Sequence, residues 1–187
     1  DFDDSDANEA LTLNYDLRLA LKTSFTGKDM LTTVLRAGNF GDSSFKNAAL
    51  VNQEYAWGPT GNAVKIGRLY YTFPVGEDLT VTAGPIVRTD DAGMYAGYAT
   101  FYPSDLLVDF FTYGGAWATN NLSSTGSGAG AVYTIGDSGF SVSGNYVSYN
   151  GDDSSAGIGT DESSSSSSWQ LFYGGEAFGG QLLAQLG

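Results

Sequence analysis

The sequence predicts an all-β protein built as an antiparallel transmembrane β-barrel, and three observations predict it. Apolar and polar residues alternate over spans longer than soluble strands reach. The connections between those spans alternate short and long. The cations on the spans share one face. Composition agrees: only 16% of the 187 residues are charged, while 26 are Gly, 12 Tyr and 11 Phe. Such a mixture suits strands that are apolar on one side and polar on the other.

Composition also removes several functions. There is no Cys and no His, so no disulfide framework, thiolate zinc site, imidazole-ligated metal or imidazole-based triad is expected. No carboxylate pair or nucleophile–base pair stands at a supporting spacing, so neither enzyme activity nor a cofactor is expected. A formal charge of −13 argues against nucleic acid, because phosphate contact needs a basic surface. No run of 18 apolar residues exists, so no membrane-spanning helix is predicted.

Residues 1–10 form an acidic loop or tail. The first strand, 11–24, is the most informative. Leu11, Leu13, Tyr15, Leu17, Leu19 and Leu21 occupy one parity, and Thr12, Asn14, Asp16, Arg18, Ala20, Lys22 and Ser24 the other. A period of two is a strand signature, and a soluble strand averages about 5–6 residues against about 9–11 for a tilted membrane strand. Further strands are expected near 30–40, 64–73, 79–88, 128–135, 140–149, 168–173 and 178–186. Gly- and Asp-rich tight turns join them at 25–29, 74–78, 136–139 and 174–177. Long connections lie at 41–63, 89–127 and 150–167. Short periplasmic turns alternating with longer external loops are the pattern of outer-membrane barrels. Phe25, Tyr71, Phe73, Tyr133, Phe140, Tyr173 and Phe178 flank the tight turns, where an interfacial aromatic girdle would lie.

Parity places Arg18, Lys22, Arg36, Arg68 and Arg88 on the polar face with the acid Asp16; Lys65 breaks the rule, as a rim residue or one beyond a bulge. A charge turned to lipid at mid-bilayer costs about 2–4 kcal/mol, so common parity is physically expected. These residues are the candidate pore-lining and selectivity set, Arg36 foremost. The connection 89–127 is too apolar for a free loop. It is expected to fold into the pore, with Asp105 and Asp109 facing the inward cations. The acidic stretch Asn150, Gly151, Asp152, Asp153 with Asp161 and Glu162 lacks cation-loop spacing and reads as a solvated loop; no metal site is assigned. Trp57 and Trp117 fall in long loops.

Residues 23–31, TSFTGKDML, with 35–40, LRAGNF, resemble the strand–turn–strand signature of cyanobacterial outer-membrane porins. These iron-uptake porins fall within the carbohydrate-selective porin superfamily. Residues 69–76, LYYTFPVG, with Leu79, Thr80 and Val81, resemble that family's second hairpin, and residues 128–130 and 144–146 match later strands more loosely. The resemblance spans roughly residues 11–186. It implies passive diffusion of small hydrophilic solutes and inorganic ions, including iron, through an outer-membrane homotrimer. It implies a roughly 16-stranded barrel, of which this chain would be about half. The family's N-terminal cell-wall-binding domain and coiled coil are not visible in the sequence. An eight-stranded barrel is just filled by side chains, which would crowd five cations together; a wider, wet lumen accommodates them. The alternative is a β-sandwich binding module, an adhesin or lectin, in which a second sheet would cover the Leu face of 11–24.

Overall fold

A computed structural model describes residues 13–40, 59–97 and 124–174, and the backbone of 179–186. They form eight strands: β1 Asp16–Thr23, β2 Met30–Gly38, β3 Lys65–Val75, β4 Leu79–Arg88, β5 Thr125–Thr134, β6 Phe140–Ser148, β7 Ser165–Gly174 and β8 Gly179–Leu186. The strands make one antiparallel sheet in the order β1-β2-β3-β4-β5-β6-β7-β8. Every neighbour in space is a neighbour in sequence, so each pairing is a simple hairpin or loop return. Among the described residues there is no helix, and β1 and β8 are the two open edges. Relative to the expected spans, β1 begins five residues later than 11, and β5 and β7 each begin three residues earlier than 128 and 168. Thr125–Ser127 therefore belong to the sheet rather than to the long connection.

The two faces of the sheet differ in an unusual direction. On one side Leu17, Ile66, Tyr133, Trp169 and Leu171 are 44–57% exposed. On the other, Thr82, Ser143, Asn145, Ser166, Ser168 and Gln170 are all at most 4% exposed. The register assigns these sets to opposite faces: Ser143 stands opposite Gln170, and Val142 opposite Leu171. In a water-soluble protein the burial normally runs the other way.

Two bulges modify the alternation. In β3, Val34 pairs with Arg68 but Leu35 pairs with Ile66, so Gly67 is an extra residue. In β4, Gly84 pairs with Gly128 but Val87 pairs with Gly126, so one extra residue lies between them. Each bulge reverses the parity of the residues beyond it. At the second, a Cβ on residue 84 would come within 2.4 Å of the Leu69 carbonyl oxygen and 2.6 Å of Tyr70, so only glycine fits. The reversal turns Val87 onto the polar face. There it is fully buried with Tyr70, Val147 and Met94 in a small apolar cluster.

Candidate polar-face site

The residues after β4 run back across the polar face. Ala92 carbonyl oxygen accepts from Thr82 Oγ1 at 2.7 Å and from Thr72 Oγ1 at 3.4 Å. Asn145 Nδ2 donates to the carbonyls of Thr89 and Met94 at 3.0 and 2.9 Å, while its Oδ1 accepts from Ser168 N at 3.2 Å. Gln170 Oε1 accepts from Ala96 N at 2.9 Å and Gly97 N at 3.3 Å, and its Nε2 donates to Gly97 O at 2.6 Å. Residues 89–97 thus form a strap reaching from β3 and β4 to β7. The buried Asn and Gln explain why polar side chains occupy closed positions: each satisfies backbone groups of the strap that would otherwise be orphaned. Met94 reaches the cluster over Gly130 in the same way, with apolar rather than polar contact.

The charged groups fall into three sets. Asp16 accepts from Arg36 Nη2 at 2.8 and 3.0 Å and pairs with Arg18 at 3.3 Å. Arg18 and Arg36 are directly opposite each other, and Lys22 is opposite Thr32 on the same face. Arg68 pairs with Asp91 of the strap at 3.0 Å. Burial pushes the Asp91 carboxyl up from its ordinary value, against the pull of the Arg68 guanidinium. Arg88 pairs with Asp90, whose side chain is almost fully enclosed. Register places Arg88 beside Thr125 and on the parity of Ile86, which faces Leu69 on the apolar side. The expected parity of Arg88 is therefore reversed by the β4 bulge, and it stands at the strand end, paired within its own loop. Lys65 changes sides in the opposite sense. Beyond the β3 bulge it stands opposite Arg36, on the polar face.

Asp105, Asp109, Trp57 and Trp117 lie outside the described residues, as does the acidic segment 1–10. Asp91, which is not among the expected acids, meets the polar-face cation Arg68 in the manner expected of Asp105 and Asp109. Its signal was the pair Asp90–Asp91 immediately after a strand, followed by Ala92-Gly93. In the connection 150–164, Gly151, Asp152, Asp153, Gly157, Ile158 and Thr160 line an open cavity of about 330 Å³. Asp153 is committed to Ser155, whose hydroxyl and amide hold its carboxyl below the ordinary range. No group of three carboxylates suited to a metal occurs among the described residues.

No family model matches the chain, and no solved structure matches it. The sequence is similar to a protein of Nostoc sp. (strain PCC 7120) described as uncharacterized protein alr4550, with 42% identity over 80 residues. The match covers 38% of this chain and 14% of the Nostoc protein. The chain thus corresponds to a small part of that relative, and the likeness carries no activity with it.

The turn that carries the family-like motif is held by one carboxylate. Asp29 accepts from Thr26 Oγ1 at 2.6 Å, Thr26 N at 2.7 Å, Ser24 Oγ at 2.9 Å and Phe25 N at 3.1 Å, and also from the Tyr71 hydroxyl. The Thr26 hydroxyl, then that of Tyr71, holds the Asp29 carboxyl far below the usual carboxylate range. Phe25, Tyr71 and Phe73 cluster beside it, with ring centroids 6.3 and 5.6 Å apart, and Phe140 meets Tyr173 at 4.7 Å. These aromatic contacts therefore gather at the tight-turn end of the sheet.

Proposed function

We propose that the protein is an outer-membrane porin. Its strands form part of a barrel wall through which small hydrophilic solutes and inorganic ions diffuse passively. The observation that carries this reading is the inverted burial: hydroxyl and amide side chains are enclosed while Leu, Ile and Trp are exposed. Hydrocarbon is the solvent in which that arrangement is favourable, since lipid-facing positions are apolar and the lumen polar. Strands of 8–11 residues, tight turns alternating with long connections, and aromatics at the turn end support it. A β-sandwich would instead need a second layer over the Leu face of β1, where Leu17, Leu19 and Leu21 are each about half exposed.

On this reading the barrel extends beyond β1 and β8, and the strap of residues 89–97 narrows the lumen. Arg36 and Arg68 bias passage toward anions, tempered by Asp16 and Asp91. Trimeric assembly and iron among the permeant ions follow from the family resemblance alone. The test is conductance and ion selectivity of the full-length protein in planar lipid bilayers. Stable channels are expected, and changing Arg36 and Arg68 together to Glu should move the reversal potential toward cation preference. Absence of channels from correctly folded protein would end the porin reading. An unchanged reversal potential would remove these two arginines from the selectivity set.

A further inference from the structure

The strap crosses the polar face along one row of the sheet. Register runs that row through Met30, Thr72, Thr82, Gly130, Asn145 and Ser168, each beside the next on neighbouring strands. Ala92 accepts from Thr72 and Thr82, and Met94 lies over Gly130 and accepts from Asn145. Ala96 and Gly97 then meet Ser143 and Gln170, two residues nearer the tight turns. Within the described strands, every charged residue on the polar face stands on the long-loop side of that row. Lys22 is opposite Thr32, two residues beyond Met30, and Arg36 lies six beyond it, opposite Arg18 and Lys65. Arg68 is four residues from Thr72 in the same direction. On the tight-turn side the same face offers Thr80, Val132, Thr134, Ser141 and Phe172, none of them charged.

The part of the strap that makes the crossing is uncharged: residues 92–97 read Ala-Gly-Met-Tyr-Ala-Gly. Met94 and Tyr95 are turned into the protein, and Ala92 is exposed. The two acids that begin the strap, Asp90 and Asp91, are paired with Arg88 and Arg68. A Cβ at residue 93 would strike Thr82 Oγ1, so the strap lies as close to the sheet as its backbone allows. Charge and constriction are therefore apart. Six residues of antiparallel strand span about 20 Å, and a barrel tilt of about 35–45° leaves about 15 Å of that along the axis. The Debye length is about 8 Å at 0.15 M salt, so the field of the Arg36–Lys65 row is largely screened at the strap.

We infer that the protein sorts solutes at two separate places, by charge on the long-loop side, where Lys65 joins Arg36, and by size at the strap, where Ala92 is the side chain that sets the opening. This inference rests on the porin reading. Lys65 reaches the polar face only through the β3 bulge and is exposed there, so passing ions meet its charge. Ala92 is the exposed side chain of an uncharged segment, so it obstructs by volume alone. An ion meets both places, whereas a neutral hydrophilic solute is sorted only at the strap.

The experiment compares two readouts on the full-length protein. Reversal potentials in potassium chloride gradients across planar bilayers report charge selectivity. Swelling of liposomes in polyethylene glycols of graded size reports the cut-off for neutral solutes. Lys65→Glu should shift the reversal potential toward cations and leave the cut-off unchanged. Ala92→Trp should lower the conductance and the cut-off and leave the reversal potential unchanged, with Ala92→Leu between it and the parent protein. Raising the salt to about 1 M, where the Debye length is about 3 Å, should shrink the Lys65→Glu effect and spare that of Ala92→Trp. Circular dichroism confirms that each variant is folded. A cut-off that moves in Lys65→Glu, a reversal potential that moves in Ala92→Trp, or a conductance indifferent to both Ala92 variants overturns the division while the channel itself stands. If the folded parent protein gives no channel and no swelling, the porin reading falls and takes the division with it.

Discussion

Asp29 shows how one side chain can hold a turn. It is buried, yet it remains a carboxylate because hydroxyl and amide donors from Ser24, Phe25, Thr26 and Tyr71 all point at it. Tyr71 belongs to β3, so the β1–β2 turn is fastened to a strand two places along. The depressed pKa has a definite sign in stability. The ionised form is favoured by folding, so its contribution is complete above the unfolded value near pH 4 and is lost as pH falls below it. Asp29→Asn should lower the thermal midpoint at neutral pH and flatten its decline between about pH 5 and pH 2. Thermal unfolding of both proteins across that range, followed by circular dichroism, measures the difference. Parallel acid limbs would mean that Asp29 does not hold the turn.

At the scale of elements, the bulges and the strap decide which residues share a face. The β4 bulge depends on Gly84, because any Cβ there would strike Leu69 and Tyr70. Gly84→Val should destabilise the protein by about 1–3 kcal/mol through overpacking, read as a lower denaturant midpoint. A bulge-free register would also return Arg88 to the polar face and expel Val87 from the cluster around Met94. The strap hangs on Gln170 and Asn145. Gln170→Leu keeps much of the volume but strands the amide and carbonyl of Gly97 and leaves the Ala96 amide only the Ser143 hydroxyl, a loss of about 1–3 kcal/mol for groups left unpaired. Faster proteolysis within 89–97 is expected, and on the porin reading a larger single-channel conductance. Unaltered cleavage would show that the strap is held by other contacts.

For the molecule as a whole, the question is what solvent the apolar face meets. Leu19 lies midway along β1 on that face and is 49% exposed. If hydrocarbon covers it, Leu19→Arg should cost about 2–4 kcal/mol, measured by reversible unfolding from lipid vesicles. Arg introduced at Ala20, one residue on and across the sheet, should cost much less. Equal effects at the two positions would contradict lipid contact. The same exposure predicts that the protein stays monodisperse only in detergent or lipid, since so large an apolar surface associates in water.

The strands and their apolar faces are legible in the chain's own pattern. A period of two survives translation into structure because alternation is a property of each strand's own backbone, needing no partner. That is why Leu17, Leu19 and Leu21, or Val142 and Phe140, could be assigned to one face from the chain alone. Where that period slips depends on the folded sheet. A bulge inserts a single residue, and nothing in residues 84–88 announces it beyond a glycine that could equally be an ordinary strand residue; in β3 the signal is Lys65 itself, a cation on the apolar parity, which fits either a rim position or the bulge that the register shows. Arg88 and Lys65 consequently exchanged faces relative to simple parity. The strap was equally invisible in detail, because its hydrogen bonds join residues as far apart as Ala96 and Gln170. Pattern reads what neighbours along the chain impose; the pairing of Arg36 with Lys65 and of Arg68 with Asp91 depends on which strands lie side by side and in what register.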